Sequence, residues 1–172
     1  MANTYDWSTF TKRIDVKCAI QQAYDAWTTQ DALEQWFLRS AVFHTAEGKP
    51  VERTTPVQAN DTYLWHWHGY DDATSERGKI VAANGKDYVC FTFCSEAAQT
   101  DMQVSVTIKT EVDSTIIELK QFNIPTDERG KVSFHIGCTE GWVLYLANLK
   151  SILEGGVDLR NKNEALKRMI NS

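Results

Sequence analysis

The stretch GWVLYLANLKSILEGG, residues 141–156, decides the fold. Trp142, Tyr145, Leu146, Leu149, Ile152 and Leu153 recur at spacings of three and four, which places them on one face of a helix. Gly155-Gly156 ends it, because glycine readily takes the left-handed conformation of a helix C-terminus. The start has two candidates. Thr139 can cap the helix, but Val132, Ile136 and Thr139 also keep helical spacing, so it can equally begin a turn or two earlier.

Upstream of this helix, back to Ser40, the pattern is that of strands. Ser114–Phe122 turns Ile117 and Leu119 inward and Glu118 and Lys120 outward. Met102–Lys109 alternates most cleanly, with Met102, Val104, Val106 and Ile108 on one side. Gly78–Ala83 and Tyr88–Cys94 read as strands joined by the hairpin signal Asn84-Gly85. Thr62–Gly69 alternates Tyr63, Trp65 and Trp67 against Leu64, His66 and His68, and Ser40–Thr45 precedes it. Ala46–Asp61 between them is a long polar loop. Nearer the start, Phe10–Lys17 is a half-buried strand, and Ile20–Thr28 follows helical spacing. A second short helix covers Asp31–Phe37, with Thr29 or Asp31 as its cap and Leu33, Trp36 and Phe37 inward. A tail helix is expected over Glu164–Ile170, within 163–171.

The predicted class is α+β. A curved antiparallel sheet of six to seven strands grips one long C-terminal helix, and two short helices follow the first strand. Sequential strands with short turns form a meander, and a single large helix then covers one face of it. The 172 residues suffice for one domain, 1–172, with its core over 10–160.

A net charge of −5, with no basic run among the aromatics, argues against nucleic acid as a partner. No apolar run approaches the roughly 20 residues of a membrane span. Met1–Trp7 lacks the basic and apolar regions of a signal peptide. Cys18, Cys90, Cys94 and Cys138 show no C-x-x-C spacing. Cys90 and Cys94, read as one strand, lie roughly 13 Å apart, too far for a disulfide. Reduced thiols and a cytoplasmic location are therefore expected.

The candidate chemical motifs are thin. His66 and His68 share a strand face, but a metal needs further ligands, and neither His44 nor His135 is fixed nearby by spacing, so no metal or other cofactor is expected. Asp71-Asp72 and Asp127-Glu128 fall in loops, where carboxylates stay solvated. Cys138 follows His135 by three, a weak thiolate signal; the bland reading is a buried, inert thiol. Asp158-Leu-Arg160 either pairs internally to lock the tail or forms part of a partner surface.

The segments KRIDVKCAIQQAYDAWTTQDALEQWF (12–37), YLWHWHGY (63–70) and GWVLYLANLKSILEGGVDLR (141–160) together resemble the START-like and birch-pollen-allergen-like superfamily. The likeness is greatest to the branch homologous to the activator of the heat-shock-protein-90 ATPase. The resemblance spans Phe10–Arg160 and implies the helix-grip fold. It does not imply one activity, because the superfamily hosts lipid carriers, hormone receptors, aromatic cyclases and chaperone activators.

The residues themselves leave two uses open for the aromatic group Trp36, Tyr63, Trp65, Trp67, Phe91, Phe93, Trp142 and Tyr145. It fills a solid core, or it lines a cleft between sheet and helix together with Val104, Leu146 and Leu149. The resemblance favours the cleft. The leading expectation is non-enzymatic binding of a small apolar or aromatic molecule. The alternative is a protein-interaction module with a chaperone partner, which a gap packed tight with rings would favour. A cyclase- or hydrolase-like enzyme comes third and requires a buried acid or histidine of shifted pKa in the cleft.

Overall fold

The computed structural model describes residues 5–166, 169 and 170. In chain order the elements are β1 (Phe10–Val16), α1 (Ile20–Thr28), α2 (Gln30–Trp36), β2 (Ser40–His44), β3 (Thr62–His66), β4 (Glu76–Ala83) and β5 (Tyr88–Thr92). Then come α3 (Ser95–Ala98), β6 (Gln103–Glu111), β7 (Ser114–Phe122) and α4 (Gly137–Leu153). A π-helical segment, Gly130–Ile136, leads directly into α4.

The seven strands make one antiparallel sheet in the order β1-β7-β6-β5-β4-β3-β2. β2 to β7 form the predicted meander. β1, first in sequence, crosses to the far edge and pairs with β7 from Phe10↔Gln121 to Val16↔Thr115. The alternation of β6 and β7 sorts side chains by face. Val104, Val106, Ile108, Ile117 and Leu119 are buried toward the helices. On the opposite face Arg13 and Lys109 pair with Glu111 and Glu118, exposed contacts that solvent and salt screen. Among the described residues no helix is long and apolar enough to cross a membrane.

Local chemistry explains several boundaries. Thr29, not Asp31, caps α2: its hydroxyl accepts the Ala32 N–H at 3.3 Å. The Asn84-Gly85 turn is a four-residue loop. Asn84 Oδ1 accepts the N–H groups of Lys86, Asp87 and Tyr88, each at 3.0 Å, and Gly85 takes φ +72°.

Of the two starts open for the long helix, the upstream one holds: it begins not at a Thr139 cap but at Gly130, where a Cβ would lie 1.9 Å from the Pro125 carbonyl oxygen. Three expectations are corrected. The strand expected to reach Gly69 ends at His66. The strand expected to reach Cys94 ends at Thr92; Cys94 turns left-handed (φ 49°) to open α3, so it does not share a strand face with Cys90. The tail from Asn163 to Leu166 is a turn closed by Leu166 N–H to the Asn163 carbonyl at 3.0 Å, not a helix. Lys167, Arg168 and Asn171 of that expected span lie outside the described residues.

The Asp158-Leu-Arg160 motif pairs internally. The Arg160 guanidinium, with a 2% exposed side chain, donates to the carbonyls of Glu34, Gln35 and Leu38 and to both oxygens of Asp158. It satisfies the carbonyls that the end of α2 leaves open. Asp158 in turn accepts from Asn148 Nδ2 at 3.1 Å, which ties the tail to α4.

Candidate functional site: the seam between the sheet and α4

The register of the sheet aligns the inward side chains. Trp65 stands opposite Glu76, Tyr63 opposite Gly78, and Phe91 opposite Val104. Gly78 is required here, since a Cβ would sit 2.5 Å from the Tyr63 hydroxyl and 2.3 Å from Thr92 Oγ1. The Tyr63 ring therefore lies flat across β4 and stacks on Trp65 at 3.9 Å.

All eight predicted rings belong to one connected network. Trp142 contacts Phe93 at 5.2 Å and Trp27 at 5.9 Å, and Trp27 meets Trp36 at 4.6 Å. Trp65 meets Phe91 at 5.3 Å, and Phe91 meets Phe93 at 6.3 Å. The hub is Phe37, outside the predicted set, which touches Trp36, Trp65, Trp67, Trp142 and Tyr145. Val104, Leu146 and Leu149 are buried among them. The rings pack edge to face or stacked, as their quadrupoles favour. One cavity of about 420 Å³ lies outside this gap, between α1, α2 and the end of α4, and touches Trp36 and Leu149. Another, of about 340 Å³, lies against residues 45–61.

Inside the aromatic shell runs a polar seam that periodicity could not find. Glu76 Oε1 accepts the Cys94 N–H at 2.7 Å, yet burial pushes its carboxyl up to about 7. The Tyr63 phenol also lies within hydrogen-bond reach of Glu76, with its proton committed to the Thr92 carbonyl. Interaction with Cys138, together with burial, raises the Cys94 thiol, while interaction with Cys94 lowers the Cys138 thiol. Gln121, fully buried, accepts Trp142 Nε1–H at 2.9 Å. Burial pushes the Tyr145 hydroxyl up to about 12. The buried Trp27 Nε1, Trp65 Nε1 and Thr139 Oγ1 have no hydrogen-bond partner. Glu76, Cys94, Cys138, Thr139, Tyr145 and Trp67 are only half-buried, so the seam reaches the surface along one side of α4.

The remaining motifs lie elsewhere. His135, three residues before Cys138, turns away from the thiol. Its Nδ1–H donates to the Trp7 carbonyl at 2.9 Å, and its Nε2 accepts from the Tyr5 hydroxyl at 2.7 Å. Among the described residues no group of three or more His, Cys, Asp or Glu is arranged to hold a metal ion, and His66 and His68 gain no further ligand. Asp72 is exposed and pairs with Arg39 at 2.6 Å.

Residues 17–154 match the family of Activator of Hsp90 ATPase homolog 1-like proteins. No curated protein matches this chain. Among solved structures, the Aha1 dimer from Colwellia psychrerythraea is similar at 18% identity and a TM-score of 0.65, over 86% of this chain and 97% of that one. The protein SSP2350 from Staphylococcus saprophyticus is similar at 17% identity and a TM-score of 0.66, over 88% and 96% of the two chains. DynU16, encoded in the dynemicin biosynthetic locus, is similar at 15% identity and a TM-score of 0.65, over 90% of this chain and 50% of that one. At these identities the likeness shows the START-like helix-grip fold alone.

Proposed function

The chain belongs to the family of Activator of Hsp90 ATPase homolog 1-like proteins, and on that premise we propose that it binds a small, largely apolar or aromatic molecule at the sheet–α4 seam. One observation carries this reading. Inside an aromatic shell Trp65, whose buried indole N–H has no partner, pairs across β3 and β4 with Glu76, a carboxyl whose pKa, raised by burial to about 7, leaves about half of it protonated at neutral pH. Buried polar groups without partners are costly, and a guest's carbonyl or hydroxyl accepting from Trp65 relieves that cost. The protonated Glu76 donates to the same guest. Because the rings pack on one another, the guest enters by parting them beside α4 rather than by filling a standing void. Burial of ~200 Å² of its apolar surface supplies about 5 kcal/mol against that movement.

Dye displacement tests this. An apolar naphthalene dye titrated into the protein is expected to show saturable one-to-one binding, reduced about tenfold in Trp65→Phe, which keeps the ring and loses the donor. Equal binding by the variant, or none by the wild type, overturns the reading.

A second reading is a surface role linked to chaperone regulation, and two observations favour it: the rings pack on one another across the gap, with both cavities outside it, and an apolar surface is exposed nearby. Val132, Ile136 and Val143, exposed by 60%, 43% and 53%, form an apolar stripe on the outer face of the π-helical segment and α4. In that case Val143→Ser weakens a chaperone complex and leaves dye binding unchanged. Glu76 also meets the requirement set for a cyclase-like enzyme; Glu76→Gln then abolishes turnover rather than affinity. The four unpaired cysteines support a cytoplasmic location.

A further inference from the structure

We propose that the cavity of about 420 Å³ between α1, α2 and the end of α4 is a second ligand site, which takes a small organic cation, a protonated amine carrying an apolar body. The cavity follows from the chain. A single extended residue, Thr29, joins α1 to α2, so the two helices splay apart instead of continuing as one. The last turn of α4 reaches the space between them. On the apolar face of α4, Trp142, Leu146 and Leu149 are buried, whereas Ile152 and Leu153 stay half-buried where the cavity lies over them. The apolar stripe thus runs one turn beyond what the protein itself covers.

The lining sorts by chemistry. Ala26, Trp36, Leu149, Ile152 and Leu153 make an apolar floor. Trp36 adds carbon alone, because its indole N–H is committed to the Ala26 carbonyl at 2.8 Å. The rim is polar. Gln21, Gln22 and Gln35 supply amides, and Asp25 is the one charged side chain among the described residues that line the cavity. Asp25 is half-buried, and Gln21 Nε2 donates to its Oδ1 at 2.8 Å from one helical turn away, which steadies the carboxylate at the rim.

An apolar floor under a lone carboxylate selects the guest by charge. A positive head above an apolar body finds attraction at Asp25, whereas an anionic amphiphile meets repulsion and no lining cation to offset it. The volume falls in the range of small-molecule sites, roughly 300–1,000 Å³. The site lies outside the sheet–α4 seam and does not rest on the binding role proposed for it.

The test titrates three probes that share one apolar body, 4-phenylbutylamine, 4-phenylbutanol and 4-phenylbutyrate, into the full chain at neutral pH. Amide resonances are followed by NMR. Saturable shifts are expected to cluster at residues 19–36 and 149–153, with the amine bound about fivefold more tightly than the alcohol and the butyrate weakest. Asp25→Asn should bring the amine down to the affinity of the alcohol and leave the alcohol unchanged. Ala32→Leu, which fills the cavity with a good helix former, should abolish the cluster of shifts, and Trp65→Phe should leave it intact. Amine and butyrate binding equally, an amine preference that survives Asp25→Asn, or no saturable shift with any probe overturns the proposal. So does broadening of these same resonances with protein concentration alone, which would mean that a second copy covers the cavity. Shifts centred on β3 to β6 would also overturn it while leaving the seam reading intact. The wild-type series needs no variant to fold.

Discussion

The indole N–H of Trp142 donates to Oε1 of the fully buried Gln121 at 2.9 Å, bonding α4 to β7 through the apolar core. Gln121 also donates through Nε2 to Met102 Sδ at 3.3 Å, so one amide joins α4, β7 and the residue that leads into β6. Removing the ring opens a cavity and strands the amide. Trp142→Ala is expected to destabilise by about 3–5 kcal/mol, and Trp142→Phe, which forfeits mainly the hydrogen bond, by about 1–3 kcal/mol. Urea unfolding at constant m-value measures both.

Arg160 predicts a second stability effect. Its guanidinium is buried against Asp158 and three carbonyls at the end of α2, so Arg160→Ala leaves those carbonyls without their donor and Asp158 with only Lys162 and Asn148. The expected loss is about 3–5 kcal/mol, and Arg160→Lys recovers little, because a point charge cannot span the fork. Arg160 and Lys162 hold the Asp158 carboxyl well below the usual range although burial opposes them. The sign follows. A depressed native pKa stabilises above the unfolded value near 3.9, and that stability drains as pH falls below it. In Arg160→Ala this acid-limb dependence should shrink.

Glu76 acts in the opposite direction. Its native pKa of about 7 exceeds the ordinary 4.5, so the folded state holds a proton that the unfolded chain has released. Stability is therefore expected to fall as pH rises from about 4.5 to about 7, by up to about 3 kcal/mol. Glu76→Gln keeps an acceptor for the Cys94 N–H and carries no charge. It should be more stable than the wild type at pH 8, about equal at pH 4.5, and the comparison of melts at the two pH values measures the difference.

Gly78→Ala tests the close approach at β4. The added methyl would lie within van der Waals distance of Tyr63 and Thr92, so the stacked Tyr63 ring must shift. The expected cost is about 1–3 kcal/mol, with weaker dye binding read in the same samples.

How far the sequence carried the fold depends on what kind of signal each part left. The alternation of Val104, Val106 and Ile108, and the helical face from Trp142 to Leu153, were legible because burial on one face of a regular element leaves a period. Val132 and Ile136 fitted helical spacing but face solvent. In the π-helical segment i→i+5 bonding widens the turn, which rotates Phe134 and His135 inward instead. The ring set was readable as composition on inward faces; its hub, Phe37, was readable as an inward residue of the second short helix beside Leu33 and Trp36, but spacing within one helix could not join it to rings of the sheet and α4. Glu76 and the bend at Cys94 left no trace. Register places Glu76 opposite Trp65, and a single left-handed residue, Cys94, ends β5 early and presents its N–H to Glu76. Such contacts belong to tertiary structure alone.

Native mass spectrometry of the protein purified from its own host tests the binding claim most directly. A co-purifying small molecule, released on denaturation and missing from Trp65→Phe, is the predicted result. Bare protein in every preparation, or a stable complex with another protein and no small molecule, would contradict it.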